Sequence, residues 1–364
     1  MPFVENYGLP GQDQIILPYE QFTSCFDSRT RNPRWVLERI NKFTVGGPGD
    51  RRSRRSSFHT DKRIDALFRS TLDDYRGSGF DRGHMAPAGD HKTTQEVLNE
   101  TFALTNISPQ MGSFNRSYWR KFEAFIRSLV ITDDGHGPEG AAVEGGEGGL
   151  SPPYKEVYVI TGPLWLPSRE ESPGEEMGGG EGDVDISGEG SEDVPIPVPE
   201  VGKGMGVGKW VIKHDIIGSP LKMVAVPTHF FKVVIAEPYP PESPLTGPGS
   251  SSSPAAVPSL VAAFIMPNEA ISSKTDLRSF LVPLDILEAV AGMRLVGPVA
   301  GLGENARKVL NNVAISERTN AGGEDRSSSS HALTPSSPGA LVRTGVGNKS
   351  RLYMHLCSAT SCQG

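Results

Sequence analysis

Cysteine is scarce: only Cys25, Cys357 and Cys362 occur in 364 residues, too few for a disulfide framework to stabilise the fold. Cys357 and Cys362 read as two free thiols in a mobile tail, with a regulatory disulfide as the alternative. No apolar run approaches the length of a bilayer span, so an integral membrane segment is not expected. The opening MPFVENYGLPG has neither a basic-then-apolar secretory pattern nor an Arg-rich amphipathic transit pattern. No cleaved transit peptide is visible. Apolar residues are also few, at 37%, beside 42 glycines and 30 prolines. A chain of this length can bury a sizeable core, yet that composition predicts that part of it is disordered.

Positive charge is short overall, and the net of −7 has the wrong sign for a protein that handles a polyanion. The shortage is local. Residues 133–149 hold five acidic side chains and 170–200 hold eleven, with no Lys or Arg in either stretch. Taking those sixteen negative charges from −7 leaves +9 on the rest of the chain, a balance that suits nucleic acid. The acidic stretches read as solvated chain, with mimicry or repulsion of nucleic acid as the sharper alternative.

Four stretches read as linkers or insertions: basic 47–57, Gly/Glu-rich 132–153, Gly/Glu/Pro-rich 167–208 and Pro/Ser-rich 238–259. The organisation predicted is one domain over 1–302, carrying the last three as insertions, and a low-complexity, mostly disordered tail over 303–364. Between these lie strand-like runs: RWVLERINKF (34–43), FALTNIS (102–108), VYVITGPLW (157–165), MVAVPTHFFKVVIAE (223–237) and LVAAFIMPN (260–268). A helix is predicted over 115–130, with Trp119, Phe122, Phe125, Ile126 and Leu129 as its apolar stripe. A second is predicted over 283–293, opened by Pro283 and closed near Gly292. The fold class predicted is mixed α/β with a large sheet.

What is present in abundance is chemistry at 79–90, GFDRGHMAPAGD. Arg82 and His84 lie two apart: an imidazole can take a proton from water near neutral pH, and a guanidinium can grip a phosphate oxygen. On the 115–130 helix Asn115 is expected at the start, where asparagine caps and free N–H groups favour anions. Glu123 follows about 80° further round the helix after two turns, and Arg127 lies at i+4 from it, so the two can pair. A surface ion pair is the plain alternative for Glu123 and Arg127. His91 has no partners at zinc spacing, and His229 reads as a structural or edge residue of its strand. The RRSRR run at 51–55 is either a solvated, localisation-like patch or a contact to a phosphate backbone.

Three of these segments, YRGSGFDRGHMAPAGDHK (75–92), ETFALTNISPQ (100–110) and NRSYWRKFEAFIRSL (115–129), resemble the DNA/RNA non-specific endonucleases. That family belongs to the ββα-metal, or His-Me finger, superfamily, and the resemblance is nearest to its mitochondrial endonuclease G branch. VYVITGPLWLP (157–167), VAVPTHFFKVVI (224–235), FLVPLDILE (280–288), YGLPG (7–11) and DSRTRNPRWVLE (27–38) extend it. The resemblance implies a ββα-metal fold with a largely antiparallel sheet. It implies Mg²⁺-dependent hydrolysis of internal phosphodiester bonds in single- and double-stranded DNA and in RNA, with Mn²⁺ able to substitute, giving 5′-phosphate ends. His84 would be the general base and Asn115 the sole direct protein ligand to the metal. Glu123 would hold water around the cation, Arg82 and Arg127 would bind phosphate, and Asn106 would orient His84. An upstream family arginine would fall within Arg51–Arg55, with Arg55 favoured. A homodimer is implied, as is the mitochondrial intermembrane space or inner membrane, with release to the nucleus. Two competing readings are a non-catalytic nucleic-acid-binding or regulatory homologue whose insertions block activity, and a sequence-specific endonuclease, for which no recognition module is visible.

Overall fold

The structure, a computed structural model, describes residues 15–53, 57–131, 154–169, 210–239, 258–296, 304–321, 342–344 and 351–359. The insertions expected at 132–153, 167–208 and 238–259 lie almost wholly outside the described residues. The framework is an eight-stranded sheet. It is built from β1 (Ile15–Pro18), β2 (Phe22–Asp27), β3 (Asn32–Ile40), β6 (Glu156–Leu164), β11 (His229–Glu237), β12 (Ser259–Pro267), β14 (Arg351–His355) and β13 (Val342–Thr344), adjacent in that order. Every pairing is antiparallel except β12 with β14. Three two-stranded units stand apart: β4 (Phe80–His84) with β5 (Ile107–Met111), β7 (Ser168–Arg169) with β8 (Trp210–Val211), and β9 (Ile216–Ser219) with β10 (Lys222–Ala225).

The central strands β6, β11 and β12 are buried along nearly their whole length. Both faces of the sheet are covered, so their sequences run apolar rather than alternating. On one face lies helix α1, formed by Gly112–Phe114, a wider π-helical turn at Asn115–Trp119 and the α-helical Arg120–Ser128 without a break. It seats Trp119 on Phe230 at 5.7 Å and Phe122 on Phe264 at 4.8 Å between ring centroids. Of the predicted apolar stripe, Trp119, Phe122, Ile126 and Leu129 are buried and Phe125 is partly so.

The structure departs from the sequence reading in four places, while the second predicted helix forms where it was expected. FALTNIS is a strand only from Ile107; Leu104–Asn106 forms a 3₁₀ turn. The run 223–237 is two strands, because Pro227 has no N–H for a ladder and the backbone turns there, Val226 N bonding Asp215 O and Thr228 N bonding Leu164 O. Helix α2 (Leu284–Ala291) takes Pro283 as its N-cap and ends on Gly292 in the left-handed region, φ 65°. The expected tail contains helix α3 (Glu304–Ala321), whose Leu310 and Ala314, four apart, are buried, and β14 lies beside β12. Cys357 is disulfide-bonded rather than a free thiol, and Cys362 lies outside the described residues.

Candidate active site

β4 and β5 pair antiparallel with Asp81 opposite Gln110, Gly83 opposite Ser108 and His84 opposite Ile107. Strand alternation puts Arg82 and His84 on one side and Asp81 and Gly83 on the other. Gly83 leaves room for Gln110: a β-carbon at position 83 would run into the buried Gln110 side chain and force it to move. Phe58 gathers the two functional residues. The Arg82 guanidinium lies 4.4 Å from its ring centroid and the His84 ring 5.3 Å, with Phe102 meeting His84 edge-on at 5.0 Å.

His84 Nε2 is buried and has no hydrogen-bond partner among the described residues. Burial, then Arg51 and Arg82, push the imidazole down to about 3, so it is neutral at physiological pH and carries a free lone pair. Asn106 does not touch the ring. From its 3₁₀ turn it brackets Ala86, accepting from Ala86 N at 2.9 Å and donating to Ala86 O at 2.8 Å, while its own carbonyl accepts from Met85 N at 2.9 Å. It fixes the backbone that follows His84.

Asn115 is not a cap. The helix begins three residues earlier, at Gly112, and Asn115 is helical, with φ −57° and ψ −44°. Its side chain is spoken for by Asp81, whose Oδ2 accepts from Asn115 Nδ2 at 2.9 Å and from Arg116 Nε at 2.8 Å. The Arg116 bond above all, with that of Asn115, holds the Asp81 carboxyl below its usual range against the effect of burial. An ionised carboxylate can only accept, so the amide must turn its NH₂ to Asp81 and its Oδ1 the other way. Among the described residues no donor reaches that oxygen. A free amide oxygen beside carboxyl groups is the donor chemistry a hard divalent cation prefers, so the residues present fit such an ion.

Glu123 and Arg127 do not pair as predicted: the Arg127 guanidinium binds Asp90 Oδ1 at 2.6 Å. Gly89 makes room, since a β-carbon there would come within 3.2 Å of Arg127 Nη1. Burial pushes the Glu123 carboxyl up to about 7, opposed by Lys232 and Arg127 and assisted by Asp90 and Glu38. Arg82, His84, Asn115, Glu123 and Arg127 all line one cavity of about 470 Å³, with Arg51, Phe58, Arg116 and Arg120. Arg51, from the basic run at 51–55, lines it; Arg55 lies outside the described residues. A larger cavity of about 1080 Å³, lined by Arg29, Trp165, Ile212 and Met293, shares none of these residues.

Sequence reasoning missed Asp81, Asp90, Phe58 and Lys232. Strand alternation was the available signal for Asp81, one residue from Arg82 and hence facing the helix. Asp81→Asn keeps the shape but loses the charge that orients the amide, and is expected to lower activity or metal affinity by about 10–100-fold. A metal titration of cleavage rate checks it; an unchanged curve would show that Asn115 is oriented by something else.

A hairpin carrying a histidine, followed by a helix carrying an asparagine that faces the same basic cavity, is the ββα arrangement of metal-dependent nucleases. The chain belongs to the DNA/RNA non-specific endonuclease family, whose model matches residues 3–300. Among curated relatives it is 34% identical over 295 residues to the mitochondrial nuclease of Saccharomyces cerevisiae, covering 81% of this chain and 69% of that protein. It is 32% identical over 291 residues to human mitochondrial endonuclease G, covering 80% and 72% respectively. A solved structure of an EndoG/EndoGI complex, described as revealing the mechanism of EndoG inhibition, matches at 31% identity with a TM-score of 0.55. That match covers 80% of this chain and 88% of the other.

Proposed function

We propose that the protein is a Mg²⁺-dependent endonuclease that hydrolyses internal phosphodiester bonds of DNA and RNA, leaving 5′-phosphate ends. The observation that carries this reading is the shared cavity, in which a neutral histidine with its Nε2 buried and a free asparagine oxygen stand among arginines. Asn115 Oδ1 would be the direct protein ligand to the cation, with Mn²⁺ able to substitute. When bound, the ion supplies positive charge against the phosphorane and the departing 3′ oxygen.

The chain's own groups do the rest. Arg82 and Arg51 draw in the phosphate, and its negative charge offsets theirs at His84, raising the imidazole's proton affinity when substrate arrives. His84 takes the proton of the attacking water. Glu123 accepts a hydrogen bond from water in the cavity, and Arg127, locked by Asp90, meets charge developing on the phosphate. These groups have the chemistry to grip phosphate, which suits cleavage without sequence preference.

Supercoiled plasmid and a structured RNA should both be cut with millimolar Mg²⁺ and left intact with excess chelator. No cleavage under any divalent ion would favour the non-catalytic nucleic-acid-binding reading, and a discrete fragment ladder the sequence-specific one.

The homodimer and the mitochondrial location, in the intermembrane space or at the inner membrane with later release to the nucleus, are proposed on the same resemblance. Exposed Ile212, Ile216, Leu221 and Met223 around the larger cavity offer the apolar area that a second copy would cover. Sedimentation equilibrium should give twice the chain mass, and a monomer mass at micromolar concentration would sink the dimer. Imaging of a tagged full-length protein that finds no mitochondrial signal would do the same for the location.

A further inference from the structure

Lys232 lies midway along β11 among Phe, Val, Ile and Ala, with 1% of its surface exposed. An ammonium costs several kcal/mol to bury, so its place under the site calls for a reason. Its Nζ donates to Thr161 Oγ1 at 2.7 Å and to Met85 O at 3.4 Å, and lies 4.7 Å from the Trp119 ring centroid. Met85 directly follows His84, and Trp119 stands on α1 between Asn115 and Glu123. One side chain thus meets both halves of the ββα unit from beneath.

Charge points the same way. Facing this layer are Glu38 from β3, bonded to His91 Nε2 at 2.9 Å; Asp90 from the segment after β4, bonded to Arg127; and Glu123 and Arg127 from α1. Three carboxyls therefore share Arg127 and Lys232, burial lowering the proton affinity of Lys232 and the carboxyls opposing that effect, with the His91 ring beside them among the described residues. Removing Lys232 would leave Arg127 alone to serve all three.

We propose that Lys232 is a positioning residue of the nuclease site, balancing the carboxyls under α1 and tying that helix to the segment bearing His84. This rests on the nuclease reading above. Among the influences on Glu123, Lys232 is the largest that opposes burial, ahead of Arg127. Its loss therefore raises the proton affinity of Glu123, and a protonated carboxyl surrenders an acceptor site for water.

Lys232→Met keeps the stem and removes the charge, while Lys232→Arg keeps the charge. Each is compared with the parent in two measurements: kcat and KM for plasmid across pH, and the infrared C=O band of protonated Glu123 in chelator-treated protein, assigned by its loss in Glu123→Gln. For Lys232→Met, KM should hold and kcat on the acid limb, well below pH 7, should fall about tenfold, recovering at alkaline pH, since a one-unit upward shift of that limb is a factor of ten. The infrared band should persist to correspondingly higher pH, and Lys232→Arg should move both readouts back toward the parent. An equal loss of kcat at every pH with an unmoved band overturns the proposal and leaves Lys232 a packing residue. Should Lys232→Met fail to fold, Lys232→Gln, which also removes the charge but keeps a donor for Thr161, replaces it in both measurements, and the same outcomes support or overturn the proposal. A parent that never cleaves would refute the nuclease reading instead, and the infrared titration would still decide the role of Lys232.

Discussion

His84→Ala is expected to lower kcat for plasmid cleavage by about 10²–10⁴-fold, the usual contribution of a positioned base, with KM for DNA close to the parent's. KM should hold because Arg51, Arg82 and Arg127 remain to grip the backbone. Steady-state kinetics on one defined plasmid checks it, and a variant cutting at the parental rate would remove His84 from the chemistry. The same substitution should change acid stability. The folded imidazole resists protonation down to about 3, whereas its ordinary value is 6.5. As pH falls through that window the unfolded chain binds a proton that the folded chain refuses, so stability is whole above the window and drains within it. His84→Ala should therefore lose less stability on acidification than the parent, as followed by denaturant midpoints; equal slopes would mean that the ring is more open to solvent than its burial indicates.

Asn115→Ala carries the second large effect. On the proposed reading it deletes the direct protein oxygen to the cation, and with it charge stabilisation of several kcal/mol. At about 1.4 kcal/mol per factor of ten, kcat/KM should fall by roughly 10²–10³-fold. Raising Mg²⁺ should recover part of the loss if the cost lies in occupancy and none if it lies in placement. A variant with the parent's rate and metal dependence would show that the ion, if one is needed, sits elsewhere. Asp81 and Arg116 keep their bonds to each other in this variant, so the fold of the hairpin and helix should survive the change.

The parts of the fold legible in the sequence are those where one interaction dominates. β6, β11 and β12 announced themselves as apolar β-branched runs because burial on both faces leaves no room for polar alternation. The stripe of α1 was legible for a similar reason. Phe102–Asn106 was misread because its composition suits a strand equally well, while the Asn106 amide satisfies the neighbouring backbone in a way that strand propensity cannot reveal. The start of α1 was placed too late since Asn115 has the chemistry of a cap, yet a carboxylate 34 positions earlier claims its amide. At the site itself, the residues with short sequence spacing were found and those bound across the fold were not. Asp90 with Arg127, and Lys232 with Met85 and Trp119, are contacts between segments separated by long stretches of chain. Tertiary neighbours of that kind leave no periodic trace.

The fork at Asp81 has a further consequence for how a cation would reside here. Both arms of that carboxylate are already engaged by Asn115 and Arg116, so its formal charge is taken up by the protein rather than offered to a metal. An ion met by one uncharged oxygen would be a short-term tenant, exchanging with the surrounding solution instead of travelling with the enzyme. Readiness to cut would then follow the ambient supply of free magnesium from moment to moment.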